Sequence, residues 1–377
     1  MPRVTHYVDE VAECVEAVLA RHGGRIVLAL PIGIGKANHV ANEFYRRACR
    51  DPGIQLTIFT ALTLGRPAWH SELERRFLEP LSERLFAGTV ELDYLRDLRA
   101  GRVPANIQVT EFFLEPGASL GIAHTQRHYI SSNYTHVARD LRAAGVNVVA
   151  QSIARRGTDG HASYSLGSNP DVSVDLLRSM EADQLTLIGA VNRQMPFMFG
   201  DAEAAAADFD YILEHPRYEY ELFAPPNAAI STADHAIGLA AAALVRDGGT
   251  LQLGIGALGD AVAYALQLRH QQNGEFRDAL RELRLRERFG AAIDANGGDA
   301  VFEEGLYGCS EMLMDGFLDL YRSGVLKRRV YADLRLQRLL SERRISERVD
   351  ATMLAELAAA GLGGELSETD FGSLKRA

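Results

Sequence analysis

The N-terminal half of the chain alternates short apolar runs with amphipathic stretches. Residues 8–21 carry apolar positions at helical spacing. The run at 25–32, RIVLALPI, has the unbroken apolar character of a strand covered on both faces. Further strands are predicted at 55–62, 107–114, 146–153 and 183–192, and helices at 39–48, 70–100 and 136–145, the last stopped by Gly145. Strands that alternate with helices imply an α/β fold with mainly parallel sheets. The acidic stretch from 200 to 230 ends in Pro225-Pro226 and reads as a linker. Beyond it a helix at 234–246 leads into the strand TLQL, with FGAAIDA (289–295) and VLKRRVY (325–331) as further strand candidates. After about 332 the chain is helical and charged, then loose and polar. The expected organisation is two α/β domains, 1–224 and 225–377, the second poorer in strands and incomplete, with a helical tail.

An internal echo links the halves. RIVLALPIGIGKANHVANEFY and TLQLGIGALGDAVAYALQL both run strand, Gly-Ile-Gly, helix. Such an echo suggests two related domains.

Composition narrows the function. With 47% hydrophobic and 24% charged residues, the chain is an ordinary globular protein. Its 50 acidic against 40 basic side chains give a net charge of −10, which disfavours a nucleic-acid backbone as partner. Only Lys36, Lys327 and Lys375 are lysines; arginine carries the remaining positive charge and can grip a phosphorylated ligand bidentately. Cys14, Cys49 and Cys309 form no metal or disulfide spacing. The N-terminal segment lacks the apolar core of a signal peptide, and no run is long enough to span a membrane, so a cytoplasmic location is expected.

Four motifs could carry chemistry. Gly254-Ile-Gly256-Ala-Leu-Gly259 is a GxGxxG between strand and helix. Its backbone N–H groups could meet an anion, it could bind a dinucleotide, or its glycines could serve the turn alone. Against a nicotinamide site, the acid about twenty residues on, Glu275, does not end a strand. Gly33-Ile-Gly35-Lys36 lacks the spacing of a phosphate P-loop. His124 and His128 are four apart, with His136 nearby, but there is no HExxH glutamate, so no metal is expected. Glu311 stands in a small apolar setting before an amphipathic helix; it could cap that helix or act as a nucleophile.

Taken in order, these segments resemble the acetyl-CoA hydrolase/transferase family, which includes 4-hydroxybutyrate CoA-transferases. LPIGIGKANHVANEFYRRA is similar to its first glycine turn and LGIGALGDAV to its second. VNVVAQSIARRGTDGHASYSLGSNPDVSVDLL is similar to its strand, turn and Ser-Leu-Gly segment, and LTLIGAVNRQMPFMFGD to its VN-x-x-MP stretch. GLYGCSEMLMDGFLDLYRSGVL resembles its catalytic segment. Two departures stand out. Ala190 replaces an acid common in the family, and the glycine-rich loop that follows the catalytic glutamate in the family is not found.

The resemblance implies two CoA-transferase-like domains and an acyl-CoA hydrolase or CoA-transferase acting on acetyl-CoA or a short-chain acyl-CoA. Glu311 would be the covalent nucleophile, passing through a glutamyl-CoA thioester. Gly254, Gly256, Gly33, Gly35 and Asn192 would contact the ligand. Coenzyme A would be a substrate, not a resident cofactor, with a small carboxylate as the other reactant and a homodimer or higher homo-oligomer as the assembly. The absent loop leads to the expectation that the second domain is loosened, self-associates through apolar surface at 250–330, and turns over little. The alternatives are a non-catalytic CoA- or nucleotide-binding remnant and a sugar-phosphate isomerase-like α/β protein. On this reading Gly256→Val harms ligand binding more than stability.

Overall fold

The computed structural model describes residues 3–67, 69, 71–158, 161–223, 228–310 and 313–362. The chain divides into two compact units, Met1–Pro225 and Pro226–Ala377.

In the first unit the elements follow as β1 (His6–Val8), α1 (Val11–Arg21), β2 (Arg25–Ala29), α2 (Asn38–Arg50), β3 (Gln55–Thr60), α3 (Glu72–Phe86), α4 (Asp93–Arg99), β4 (Ile107–Glu111), α5 (Ala123–Arg127), α6 (Val137–Ala143), β5 (Val148–Arg156), β6 (Ser163–Ser165), α7 (Asp171–Ser179), β7 (Thr186–Val191), β8 (Glu203–Ala204) and β9 (Tyr211–Leu213). The main sheet runs β1-β9-β7-β5-β2-β3-β4, and every neighbouring pair in it is parallel. β6 and β8 form an antiparallel arm on β5.

Strand periodicity explains the two-sided core. Successive side chains of a strand face opposite ways. Ile26 and Leu28 of β2, Leu56 and Ile58 of β3 and Val148 and Ala150 of β5 pack with α1, α2 and α4. Ala29, Phe59, Val149 and Ile153 pack on the other side with α6 and α7. Both faces are buried, as the unbroken apolar runs require.

Several expectations for this unit change. The stretch 200–230 is no simple linker: within it β9 pairs with β7 and β1 inside the main sheet, and Pro225-Pro226 lies outside the described residues. The helix expected over 70–100 is two helices, α3 and α4. Val8, expected in the first helix, belongs to the edge strand β1.

The second unit contains α8 (Thr232–Ala243), β10 (Thr250–Gln252), α9 (Ala257–Gln271), α10 (Asn273–Glu282), α11 (Leu285–Asn296), β11 (Tyr307–Cys309), α12 (Asp315–Arg322), α13 (Leu334–Ser341) and α14 (Ala351–Ala359). Its two described strands, β10 and β11, are parallel, with Gln252 opposite Cys309. FGAAIDA, expected as a strand, lies in helix α11. It is alanine-rich, and only Ile293 among these residues is buried, which suits a helix with one apolar stripe. VLKRRVY is not a strand either; Leu326 makes only an isolated bridge to Leu306.

Asp247 ties the starts of both strands together. Its carboxylate accepts the N–H groups of Gly248, Gly305, Glu303 and Glu304 at 2.8–3.0 Å. Partial burial pushes its pKa up, but the four donors outweigh it and hold the carboxyl below the usual range. The folded value is depressed, so the stabilisation is full above the unfolded pKa of about 3.9 and is lost as pH falls through the folded value. Asp247→Asn is expected to cost the second unit about 1–2 kcal/mol at neutral pH, and less in acid. Urea titrations at neutral pH and at about pH 3 check this; an equal loss at both would contradict it.

Candidate functional site

The order of the main sheet creates one privileged edge. From β2 the chain moves one way to β3 and β4, then crosses to β5 and continues the other way to β7 and β9. The carboxyl ends of β2 and β5 therefore flank the point where the winding reverses, the usual ligand crevice of open α/β sheets.

The first glycine turn sits at this crevice. Gly33–Gly35 form a single 3-10 turn after β2 and lead into α2. Gly33 has φ of +62° and no heavy atom near the position of a side chain, among the described residues. A Cβ on Gly35 would come within 2.3 Å of Asn169 Oδ1, so this glycine is packed against the unit's own interior. Lys36, next in sequence, is buried and bridges to Gln151 of β5. The cavity here is lined by Gly33, Lys36, Leu64, Phe86, Tyr220 and Phe223.

Asn192 lies just beyond β7, at the same edge, and is also buried. Its Nδ2 donates to the Tyr220 carbonyl at 3.0 Å, and its Oδ1 accepts the Gln194 N–H at 3.0 Å. The side chain is thus committed to holding the segment around Tyr220 across the strand ends. That segment is pinned again by Tyr220 Oη, which donates to the Lys36 carbonyl at 2.6 Å, and by stacking of Phe223 on Phe86 at 4.7 Å.

Sequence reasoning missed Glu111, Tyr220 and the role of Lys36. Glu111 ends β4 with 6% exposure; Thr63 donates to its carboxylate from both N and Oγ1, at 3.1 and 2.6 Å. Burial raises the Glu111 pKa against the pull of Thr63 and Lys36. The available signal was a lysine directly after a glycine turn in a chain that otherwise uses arginine. His124 and His128 do approach, with ring centroids 4.5 Å apart, but His124 Nε2 accepts the Val109 N–H. Among the described residues no group of three or more potential metal ligands converges.

In the second unit, β10 runs into the turn Gly254–Gly256, and α9 starts at Ala257. Gly256 is the N-cap, with φ of +119° and ψ of 169°, so no side chain covers the unpaired N–H groups of the first helical turn. A Cβ on Gly259 would fall 2.1 Å from the Gly254 carbonyl; the third glycine lets the helix press onto the turn. β11 lies beside β10 and ends at Cys309. Glu311 lies outside the described residues. On either side of it, Ser310 Oγ contacts the Leu253 carbonyl at 3.5 Å, and α12 begins at Asp315. Ile255, Leu258, Leu313 and Tyr321 of this unit are exposed apolar side chains.

The geometry of Gly256 changes the expected effect of its replacement. This backbone region is open to glycine almost alone, so Gly256→Val is expected to cost about 1–3 kcal/mol whatever it does to ligand. Gly254 has no positive φ, and no described atom lies within 4 Å of where a methyl group would sit. Gly254→Ala is therefore expected to leave the melting temperature unchanged and, on the expectation that the turn meets acetyl-CoA, to weaken its binding in calorimetry. Unchanged affinity in that variant would assign the turn a structural role alone.

No family model matches the chain. A 98-residue stretch, 26% of this chain and 22% of the relative, is 40% identical to the 4-hydroxybutyrate coenzyme A transferase of Clostridium kluyveri. Over that stretch the chain is similar to this transferase. Among solved structures, RipA from Yersinia pestis has a TM-score of 0.51 at 19% identity, covering 85% of this chain and 59% of RipA. A mutant RipA structure gives 0.54 at 20% identity, covering 85% and 58%. These two likenesses concern the fold alone, which is α/β with a mainly parallel sheet. The chain spans under three fifths of RipA's length, and its sequence match spans about a fifth of the curated relative. Among the described residues no helix is long and apolar enough to cross a membrane.

Proposed function

We propose that the chain handles acyl-CoA thioesters, as a CoA-transferase or an acyl-CoA hydrolase, with Glu311 as nucleophile. The observation that carries this is the likeness to the 4-hydroxybutyrate coenzyme A transferase. The parallel register of β10 and β11 supports the site. It sets the strand that leads to the Gly254–Gly256 turn beside the strand that leads to Glu311.

The chemistry is covalent catalysis in two displacements. A carboxylate oxygen of Glu311 attacks the thioester carbonyl, the C–S bond breaks, and CoA leaves as thiolate. The thiolate attacks the glutamyl carbonyl of the mixed anhydride, releasing the acyl group as a carboxylate and leaving a glutamyl-CoA thioester. A second small carboxylate repeats the sequence in reverse, or water hydrolyses the thioester. Each tetrahedral intermediate carries an oxyanion. Gly254 and Gly256 offer backbone N–H donors at the start of α9, where one such donor is worth about 3–4 kcal/mol in subtilisin. Gly33, Gly35 and Asn192 belong to the same proposal as residues that shape the crevice of the first unit. Coenzyme A is then a substrate, and homo-oligomerisation would cover the exposed apolar side chains of the second unit.

Incubation with acetyl-CoA, followed by peptide mass spectrometry, tests the reading. The expected result is CoA attached to the peptide that contains Glu311. CoA binding without an adduct would favour the non-catalytic remnant, and neither binding nor adduct would overturn the assignment.

A further inference from the structure

Lys36 is one of only three lysines in a chain with 40 basic residues. It stands where the winding of the sheet reverses, and it is 1% exposed. Its Nζ donates to three carbonyls: Gly33 in the glycine turn at 3.1 Å, and Ala61 and Leu62 beyond β3 at 2.7 and 3.3 Å. An ammonium has three N–H donors, so the cluster is filled. Leu62 is held at φ of +46°, a conformation that a leucine rarely adopts, and its carbonyl is one of the three that the ammonium holds. The Lys36 carbonyl in turn accepts from Tyr220 Oη at 2.6 Å and Ser152 Oγ at 3.1 Å. One residue therefore joins the turn after β2, the end of β3, the middle of β5 and the segment around Tyr220.

We propose that Lys36 is the positioning residue of the crevice: its ammonium holds the Gly33–Gly35 turn in a single shape, and losing a proton releases that turn locally. This rests on the reading that the crevice serves an acyl-CoA enzyme. Arginine could not substitute. Its planar fork is wider than three converging carbonyls, and it stays charged at any relevant pH. A neutral amine donates two hydrogen bonds, leaving one of the three carbonyls unpaired. The titratable groups that face this cluster are the Glu111 carboxyl from β4, the Tyr94 hydroxyl from α4 through Thr63, and the Tyr220 hydroxyl. Burial lowers the Lys36 ammonium to about 7, opposed by the charge of Glu111. Linkage fixes the sign. With a folded pKa below the unfolded one, the unfolded chain binds more protons between the two values, so global stability rises with pH there. A loosened turn without global destabilisation is what separates this role from a merely structural one.

The three lysines make the test direct. In uniformly 13C- and 15N-labelled protein, the lysine side-chain and backbone amide signals are followed from about pH 5 to about pH 11, with Lys36→Arg providing the assignment of Lys36. Lys36 is expected to titrate near neutral pH, and the amides of Gly33–Gly35 to shift with the same midpoint while the melting temperature does not fall. The amide shifts disappear in Lys36→Arg. In acetyl-CoA exchange, Lys36→Met is expected to raise KM by about tenfold, the size of one lost charge-assisted hydrogen bond, with a smaller change in kcat. Titration of Lys36 near 10 with the other lysines, or turn amides indifferent to it, would overturn the proposal. Absence of any exchange in the unaltered chain would instead count against the acyl-CoA reading, and the amide titration would still decide the role of Lys36.

Discussion

Glu311→Ala is expected to abolish the CoA adduct and to lower acyl-CoA exchange by at least about a thousandfold, with the fold intact. Loss of a covalent nucleophile in subtilisin costs about a millionfold, so a thousandfold is a conservative floor. The described neighbours do not take over. Ser310 is an alcohol whose Oγ is directed at the Leu253 carbonyl, and Asp315 opens α12 beyond the segment between β11 and that helix. Glu311→Gln is the sharper variant, because it keeps the shape and hydrogen-bonding capacity while removing the nucleophilic oxygen anion. Melting curves of both variants are expected to overlay the parent. Turnover within tenfold of the parent in either variant would rule out the covalent route through this residue.

Arg269→Met is expected to destabilise the second unit by roughly 3–5 kcal/mol, the usual cost of breaking a buried polar cluster by removing one side of it. Arg269 is 2% exposed. Its guanidinium donates to Ala242 and Val245 at the end of α8, at 2.8 and 2.6 Å, and to Ala300 at 2.7 Å. It also stacks over Phe302 with 4.2 Å to the ring centroid. Burial lowers it to about 10, with Asp247 and Asp299 opposing, so it remains charged at neutral pH. Methionine fills the space and takes the guanidinium donors from three carbonyls, of which that of Ala242 retains the Val245 N–H at 3.4 Å. For a unit of this size the loss corresponds to a drop of roughly 10 °C or more in melting temperature. Lysine keeps the charge but lacks the fork that spans helix end and loop, so Arg269→Lys should recover only part of the loss. The single tryptophan, Trp69, lies in the first unit, so hydrogen exchange across 232–302 is the measurement to use. Parent-like protection there in Arg269→Met would contradict the argument.

The sequence by itself determined the main strands of the first unit. β2, β3, β4 and β7 each fall inside a predicted run and β5 runs three residues past its own, because a strand covered on both faces is largely apolar. It also determined the two strand–glycine–helix units, since a glycine turn before an amphipathic helix is a local device. The candidate nucleophile came from resemblance over a whole segment, as a lone glutamate before a helix carries no local signal of its own. Tertiary structure decided the rest. β1 and β9 are three residues each, too short to announce themselves, and exist because the edge of a parallel sheet offers them partners. FGAAIDA has strand-like apolarity, yet it folds as α11 because the helical layer of the second unit buries only one stripe of it. Asn192 looked like a ligand contact in the sequence, and the fold spends its amide on Tyr220 and Gln194. The role of Lys36 was hidden for the same reason. Ala61 and Leu62 are distant in sequence from Gly33 and Lys36, and only the convergence of two strand ends brings their carbonyls around one ammonium, where burial changes what that ammonium can do.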